Sequence, residues 1–333
     1  MKTPARYVGK CFGLILFTLI LFPSLGRGQT KPRSLTVPYP LGGSTSYFWV
    51  AYRSGAFEKH GLRVQPIYVR GGRSAVQTLL AGEAQIEMQG GSTGISAWGQ
   101  GAKDLVFVGA VGNKLDYVFV TSPKIKKPED LKGKTIAISQ LGASTDFIAR
   151  LALKQLGLNP ERDAILVGAG GAGERWTALN AGHVDASLFQ PPFTLLAREA
   201  GFPVLIDFSK SDFQYSVSAV LTTRSFIRAE PETVMNFMRG LADGMDFYRD
   251  EKNKEKVIQF LGDYYRSNAT RELEETRRVY TQVTPGLPYV TAKAIENVIV
   301  NDKSLAGLGL KAEDMLDLSF LKKLEEERKA KGR

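Results

Sequence analysis

Leu41-Gly42-Gly43-Ser44-Thr45 is the stretch on which the reading of this chain turns. It stands between an apolar run, Leu35-Thr36-Val37-Pro38-Tyr39, and an aromatic helical pattern, Tyr47-Phe48-Trp49-Val50-Ala51-Tyr52. Strand, small-residue turn and helix, in that order, build a corner where ligand meets backbone. Glycines allow close approach, and the first N–H groups of a helix have no intrahelical acceptor. Leu141-Gly142-Ala143-Ser144-Thr145 repeats the loop 100 residues later, after the apolar run Thr135-Ile136-Ala137-Ile138. Gly90-Gly91-Ser92-Thr93-Gly94 is a third version between them.

Further matches keep the same order. His60-Gly61-Leu62 pairs with Leu156-Gly157-Leu158, Val69-Arg70-Gly71-Gly72 with Val167-Gly168-Ala169-Gly170, and Leu79-Leu80-Ala81-Gly82 with Leu179-Asn180-Ala181-Gly182. Shared turn chemistry makes strand–helix–strand units resemble one another, but several matches in order argue for two related lobes. Strands are expected at Leu35–Tyr39, Arg63–Val69, Gln85–Met88, Leu105–Val111, Tyr117–Val120, Thr135–Ile138, Val204–Asp207 and Tyr215–Leu221. Helices between them imply parallel pairing with right-handed crossovers. The first helix is expected to run to about Glu58, with Gly61 at its left-handed cap. Gly112 to Asp116 is the expected crossing to the second lobe. From Glu230 on the pattern is helical, with Pro231 near a helix start and Val234, Phe237, Met238, Leu241 and Met245 on one face. Lys322 to Arg333 reads as a charged, solvated end.

At 333 residues, 43% hydrophobic and 23% charged, the chain suits two ordinary domains. Lys2, Arg6 and Lys10 precede an apolar run from Cys11 to Phe22 and then Pro23-Ser24-Leu25-Gly26-Arg27-Gly28, the pattern of a cleaved secretory signal over 1–28. Cys11, the only cysteine, lies in that segment and lacks the surroundings of a lipid-anchoring cysteine. The mature chain is therefore expected in the periplasm without disulfide, thiol catalyst or thiolate metal site. Its charge falls from +10 to +6, with 40 basic against 34 acidic residues. The basic residues are scattered among acidic ones, which argues against a nucleic-acid surface. No nucleophile elbow, P-loop or dinucleotide fingerprint stands in context.

Four segments carry a family resemblance. They are Gly55-Ala56-Phe57-Glu58-Lys59-His60-Gly61-Leu62; Leu79-Leu80-Ala81-Gly82-Glu83-Ala84-Gln85, with Gln85 where the pattern has aspartate; Asp130-Leu131-Lys132-Gly133-Lys134-Thr135-Ile136-Ala137; and Ala178-Leu179-Asn180-Ala181-Gly182-His183-Val184-Asp185-Ala186. Together they resemble the periplasmic substrate-binding proteins of ABC importers, in the nitrate/sulfonate/taurine/thiamine-precursor family. The resemblance spans roughly residues 35–221. It implies an α/β, two-lobed periplasmic binding protein fold of type II, each lobe a mixed, mainly parallel sheet flanked by helices, joined by two crossover strands. Lobe 1 would begin with 35–112, lobe 2 would take 113–210, and 211–333 would supply the return strand and helices packing on lobe 1. The implied function is a non-enzymatic, cofactor-free, monomeric receptor. It would close by hinge motion over a small organic solute, anionic or heterocyclic, and deliver it to an inner-membrane permease and its ATPase. Two alternatives on the same fold are a thiamine-pyrimidine-synthase-like enzyme, whose cysteine-rich motif is missing here, and the ligand-binding module of a sensor system.

For the site, the resemblance favours Ser44, Thr45, Ser144 and Thr145, beside Gly43, Gly91, Ser92 and Thr93 in the Gly-Ser-Thr loops. Plain helix capping is the competing role. Tyr39 is the expected aromatic contact and Gln190, before Pro191, the expected cleft-facing amide; Tyr47 and Trp98 read as core. Arg73 and Arg175 lie near helix starts where an anion would want them, yet exposure is the usual fate of arginine. Asn113 and Asp116 are read as turn residues. His60 and His183 are read as surface residues.

Overall fold

The computed structural model describes residues 1, 3, 4 and 31–332. The secretory signal expected over 1–28 lies, but for three residues, outside the described residues. Ten strands follow in order: β1 (Arg33–Pro40), β2 (Leu62–Val69), β3 (Glu87–Gln89), β4 (Leu105–Lys114), β5 (Val118–Thr121), β6 (Lys134–Ile138), β7 (Ala164–Gly168), β8 (Ala186–Phe189), β9 (Val204–Asp207) and β10 (Gln214–Thr223). The helices between them are α1 (Ser46–Arg53), α2 (Gly72–Leu80), α3 (Gly91–Gly99), α4 (Ser144–Gln155), α5 (Ala172–Asn180) and α6 (Phe193–Glu199). After β10 come α7 (Arg224–Ala229), α8 (Pro231–Arg249), α9 (Lys254–Tyr265), α10 (Thr270–Val283), α11 (Ala292–Asn301) and α12 (Ser319–Ala330).

The second lobe is one five-stranded sheet, β7-β6-β8-β5-β9, parallel from β7 to β8 and antiparallel around β5. In the first lobe β1 pairs with β2 in parallel, and β10 runs antiparallel between β3 and β4. The chain crosses between the sheets from Lys114 to Val118 and returns between Asp207 and Gln214. β4 and β10 are buried along nearly their whole length; β4 accordingly reads as a continuous apolar run, whereas β10 alternates Tyr215, Val217 and Ala219 with serines that are buried as well. On β1 alternation does operate: Leu35, Val37 and Tyr39 face inward.

The internal repeat has a backbone counterpart. Gly61 and Gly157 both take positive φ (72° and 75°), as do Gly82 and Gly182 (76° and 74°), so each turn requires the left-handed conformation that glycine adopts without penalty. Gln85 Oε1 accepts the Thr36 N–H (3.2 Å), while Asp185 Oδ2 accepts the Thr135 N–H (3.0 Å). The amide at Gln85 therefore does in the first lobe what the carboxylate does in the second, and the departure at this position leaves the turn intact.

Two expectations are corrected. The first helix ends at Arg53, not near Glu58; Gly55 at φ 74° breaks it, and a 3₁₀ turn, Glu58–His60, follows. The C-terminal segment is not a free, solvated end. α12 buries Phe320, Leu321 and Leu324, and its Arg328 and Glu327 pair with Asp246 and Arg239 of α8. α8 and α9 in turn cover α1, placing the C-terminal helices on the first lobe.

Candidate functional site

Five helices begin around one cavity. Their N-caps are Thr45, Gly71, Gly90, Ala143 and Gly171, and none has a side-chain hydrogen bond closing its first turn. The positive ends of five helix dipoles thus converge on the space between the lobes, although the first-turn N–H groups of α1 are taken by backbone carbonyls and that of Ser92 by Tyr215 Oη. The cavity encloses about 50 Å³ and is lined by Gly42, Ser44, Thr45, Gly90, Ser139, Ser144, Thr145, Arg175 and Gln190, among others. That is room for a few waters or one compact polar group.

The serines and threonines do not cap their helices. Ser44 Oγ and Thr45 Oγ1 lie 2.7 and 2.8 Å from Ser218 Oγ. Ser144 Oγ donates to the Gly90 carbonyl across the cleft (3.0 Å), with Thr93 Oγ1 beside it at 3.2 Å. Thr145 Oγ1 accepts the Ser139 N–H at 2.8 Å. Gly91, Ser92 and Thr93 stand behind the cavity wall: Gly91 packs against Ser216, and Ser92 bonds Tyr215 Oη (2.9 Å). Tyr39 is placed elsewhere. Its ring stacks on Tyr264 (6.1 Å) among Phe48, Trp49 and Tyr68, in a neighbouring aromatic hollow.

Gln190 bridges the lobes. Its Oε1 accepts the Gly43 N–H (3.0 Å) and its Nε2 donates to Asp116 Oδ1 (2.6 Å), while Tyr280 Oη donates to Asp116 Oδ2 (3.2 Å). Tyr280 also explains Gly43, where a Cβ would overlap the tyrosine hydroxyl. Asp116 is therefore more than a turn residue. Burial pushes its carboxyl up to about 6, against the opposing effect of the two donors.

Arg175 departs furthest from expectation. It is buried, 4% exposed, and lies on the inner face of α5 with Ala172 and Leu179. Its Nη1 and Nη2 donate to the carbonyls of Gly170 (2.8 Å) and Leu188 (3.1 Å), and its Nε has no partner. Among the described residues no carboxylate comes within ion-pair distance of it; the charge of Glu174 acts only from further off. Desolvation pulls its pKa down, yet a guanidinium keeps its proton in a protein. Arg70, exposed and likewise unpaired among the described residues, adds a second cation at the cavity rim. Arg73 is exposed and reaches the Leu141 carbonyl across the cleft (3.4 Å). Sequence reasoning missed Arg70, Ser139, Tyr117, Tyr215 and Ser218, all of which line the cavity. The 172, 175, 179 spacing was the available signal that Arg175 faces inward.

A cleft between two lobes, lined by helix N-termini and by two arginines without an ion-pair partner among the described residues, is chemically suited to an anionic group. The comparisons agree on the architecture. Residues 44–254 match the model of the NMT1/THI5-like family, and the chain belongs to that family. It is 22% identical over 211 residues to YtlA of Bacillus subtilis (strain 168), 62% of this chain and 63% of that relative, so it spans less than two thirds of that relative's length. The alkanesulfonate-binding protein SsuA from Xanthomonas axonopodis pv. citri, solved bound to MOPS, superposes with a TM-score of 0.70 at 20% identity, over 87% of this chain and all of SsuA. The desulfurization enzyme DSZB superposes with a TM-score of 0.60 at 15% identity, over 89% of this chain and 99% of the enzyme. The chain has the two-lobed periplasmic binding protein fold. Since that fold carries both a binder and an enzyme, function has to be argued from the site.

Proposed function

We propose that this protein is the periplasmic solute-binding receptor of an ABC importer, and that its solute is a small organic anion. The observation that carries the reading is Arg175, a buried guanidinium facing the inter-lobe cavity with no carboxylate among the described residues within ion-pair distance. A buried unpaired charge is strongly unfavourable, and an incoming carboxylate or sulfonate relieves it while also accepting from the helix N-termini. Ser44, Thr45, Ser144, Thr145 and Gln190 would complete the hydrogen bonding around the anion, while Gly43 leaves room for the Tyr280 hydroxyl that bonds Asp116. Gly91, Ser92 and Thr93 support the wall from behind.

Closure follows from the site being shared. Contacts made with both lobes at once favour the closed form, and the Lys114–Val118 and Asp207–Gln214 crossings are where the chain would flex. The closed form is then the species presented to a permease and its ATPase. The membership of the chain in its family and its likeness to a sulfonate-binding protein support this reading.

The test is calorimetric titration of the purified chain with short carboxylates and sulfonates, with small-angle scattering on the same samples. Micromolar binding to an acid but not to its neutral amide, with a smaller radius of gyration on binding, is the expected result. Recovery of the solute unchanged separates a receptor from an enzyme. Equal binding of acid and amide would remove the anion reading.

A further inference from the structure

The cavity at Arg175 holds an acid group and little more. An organic solute must therefore continue somewhere, and the wall toward the neighbouring hollow is thin. Leu41 lines both spaces. Tyr68, at the end of β2, rests its hydroxyl against Gly171, which lines the cavity; a Cβ there would lie 2.6 Å from Tyr68 Oη. Tyr68 is 44% exposed and belongs to the first lobe, whereas Gly171 caps α5 of the second. The ring thus forms a partition between the two spaces, held by the first lobe against the second.

The hollow beyond it measures about 780 Å³ and draws its walls from both lobes. Tyr39, Trp49 and Tyr68 come from the first lobe, Trp176 and Phe193 from the second, and Tyr264 from α9. Tyr39 and Trp49 pack within about 6 Å of Tyr264, and the buried Tyr39 and Tyr264 back the wall, so the aromatic surface left open to the hollow belongs to Tyr68, Trp49, Trp176 and Phe193. Such a wall, drawn from both lobes, suits a further ring lying against it. The hollow's charged rim, Glu174, Asp263 and Arg266, is mixed in sign, so the anion's natural seat stays at Arg175.

We propose that the solute is an aromatic acid. Its carboxylate or sulfonate sits against Arg175 and the helix N-termini, and its ring passes Tyr68 into the aromatic hollow. This rests on the anion-receptor reading and deepens it by assigning the hollow as the ring subsite. Tyr68 and Trp176, on opposite lobes, then act as the determinants that tell a ring-bearing acid from a short one.

The test is calorimetric titration with phenylpropanoate, propanoate and phenylpropanamide, on the wild-type chain and on Tyr68→Ser and Trp176→Leu. Burying one ring predicts that phenylpropanoate binds about tenfold to a hundredfold more tightly than propanoate. The amide should bind more weakly than the acid by a comparable factor. Each variant should lose most of the preference for phenylpropanoate over propanoate, read as the ratio of the two affinities within that variant. If the two acids bind equally, or if neither variant alters their ratio, the ring subsite is wrong and the anion receptor stands. If the amide matches the acid, or no probe binds, the anion reading fails and the aromatic-acid proposal with it.

Discussion

Replacing Asp116 by Asn should stabilise the ligand-free protein above pH 6 and leave it unchanged near pH 4. The carboxyl is raised from 3.8 to about 6 by burial. At about 1.4 kcal/mol per pH unit, that displacement is worth about 3 kcal/mol. Its sign follows from linkage: the folded protein holds this proton more tightly than the unfolded chain does. The penalty for an ionised Asp116 is therefore full above pH 6, falls away between 6 and 4, and is gone below the unfolded value. Asn keeps both bonds in place, since its Oδ1 can accept from Gln190 Nε2 and its Nδ2 can donate to Tyr280 Oη. For a chain of this size 1 kcal/mol corresponds to about 2 °C in Tm. Calorimetric scans of both proteins from pH 4 to pH 8 should show Tm values that coincide at the acid end and separate by about 6 °C at the alkaline end. An offset constant across the range, or a variant less stable at pH 8, would refute the argument that desolvation dominates at this carboxyl.

Three other substitutions probe the same region. Arg175→Met should leave the stability of the ligand-free chain within about 1 kcal/mol, lost bonds to Gly170 and Leu188 offsetting the relieved charge, while calorimetry should find at least a hundredfold loss of acid binding. Gln190→Leu strands the Gly43 N–H and the Asp116 carboxylate together; urea unfolding should show a loss of about 2–4 kcal/mol, larger at pH 8 than at pH 5. Ser218 is a non-glycine residue at φ 45° within β10. Ser218→Gly should therefore be more stable than Ser218→Ala by about 1 kcal/mol in urea, the reverse of the usual order in a strand.

Turn chemistry is local, and what depended on it was readable. The repeated loops at 41–45 and 141–145 lead from strand into helix as their composition implies, and the paired glycines at 61, 157, 82 and 182 adopt the left-handed turns that only they tolerate cheaply. What depended on distant partners was not readable. Asp116 is a turn residue in the sequence and becomes a buried acid only because Gln190 and Tyr280 close over it. Ser218 looks like one more small residue in an alternating strand, and nothing nearby announces its positive φ or its bonds to Ser44 and Thr45. Tyr39 shows the limit of alternation. Period two says that its ring leaves the β1 face on the buried side, but not which of two adjacent spaces it enters. At the C terminus the density of charge concealed the Phe320, Leu321, Leu324 stripe that docks α12.

The unfavourable features of this molecule are not scattered. Arg175 is desolvated without a counter-charge, Asp116 is ionised in a setting that disfavours it, and Ser218 holds a strained backbone, all within one cleft and its wall. A fold optimised only for stability would remove each by a single substitution. Their concentration where five uncapped helices begin fits a site held ready for a charge the protein does not itself supply. An anion seated at Arg175 would neutralise the guanidinium directly. It would also approach Gln190, which lines the cavity and already donates to Asp116, so two anions would compete for one amide's orientation. Ligand binding should therefore raise the Asp116 pKa further and take up protons near pH 6. Calorimetry of the same acid in buffers of different ionisation enthalpy would measure that uptake, and Asp116→Asn should abolish it. Binding without proton exchange at pH 6 would mean that the anion and the Asp116–Gln190 pair do not sense one another.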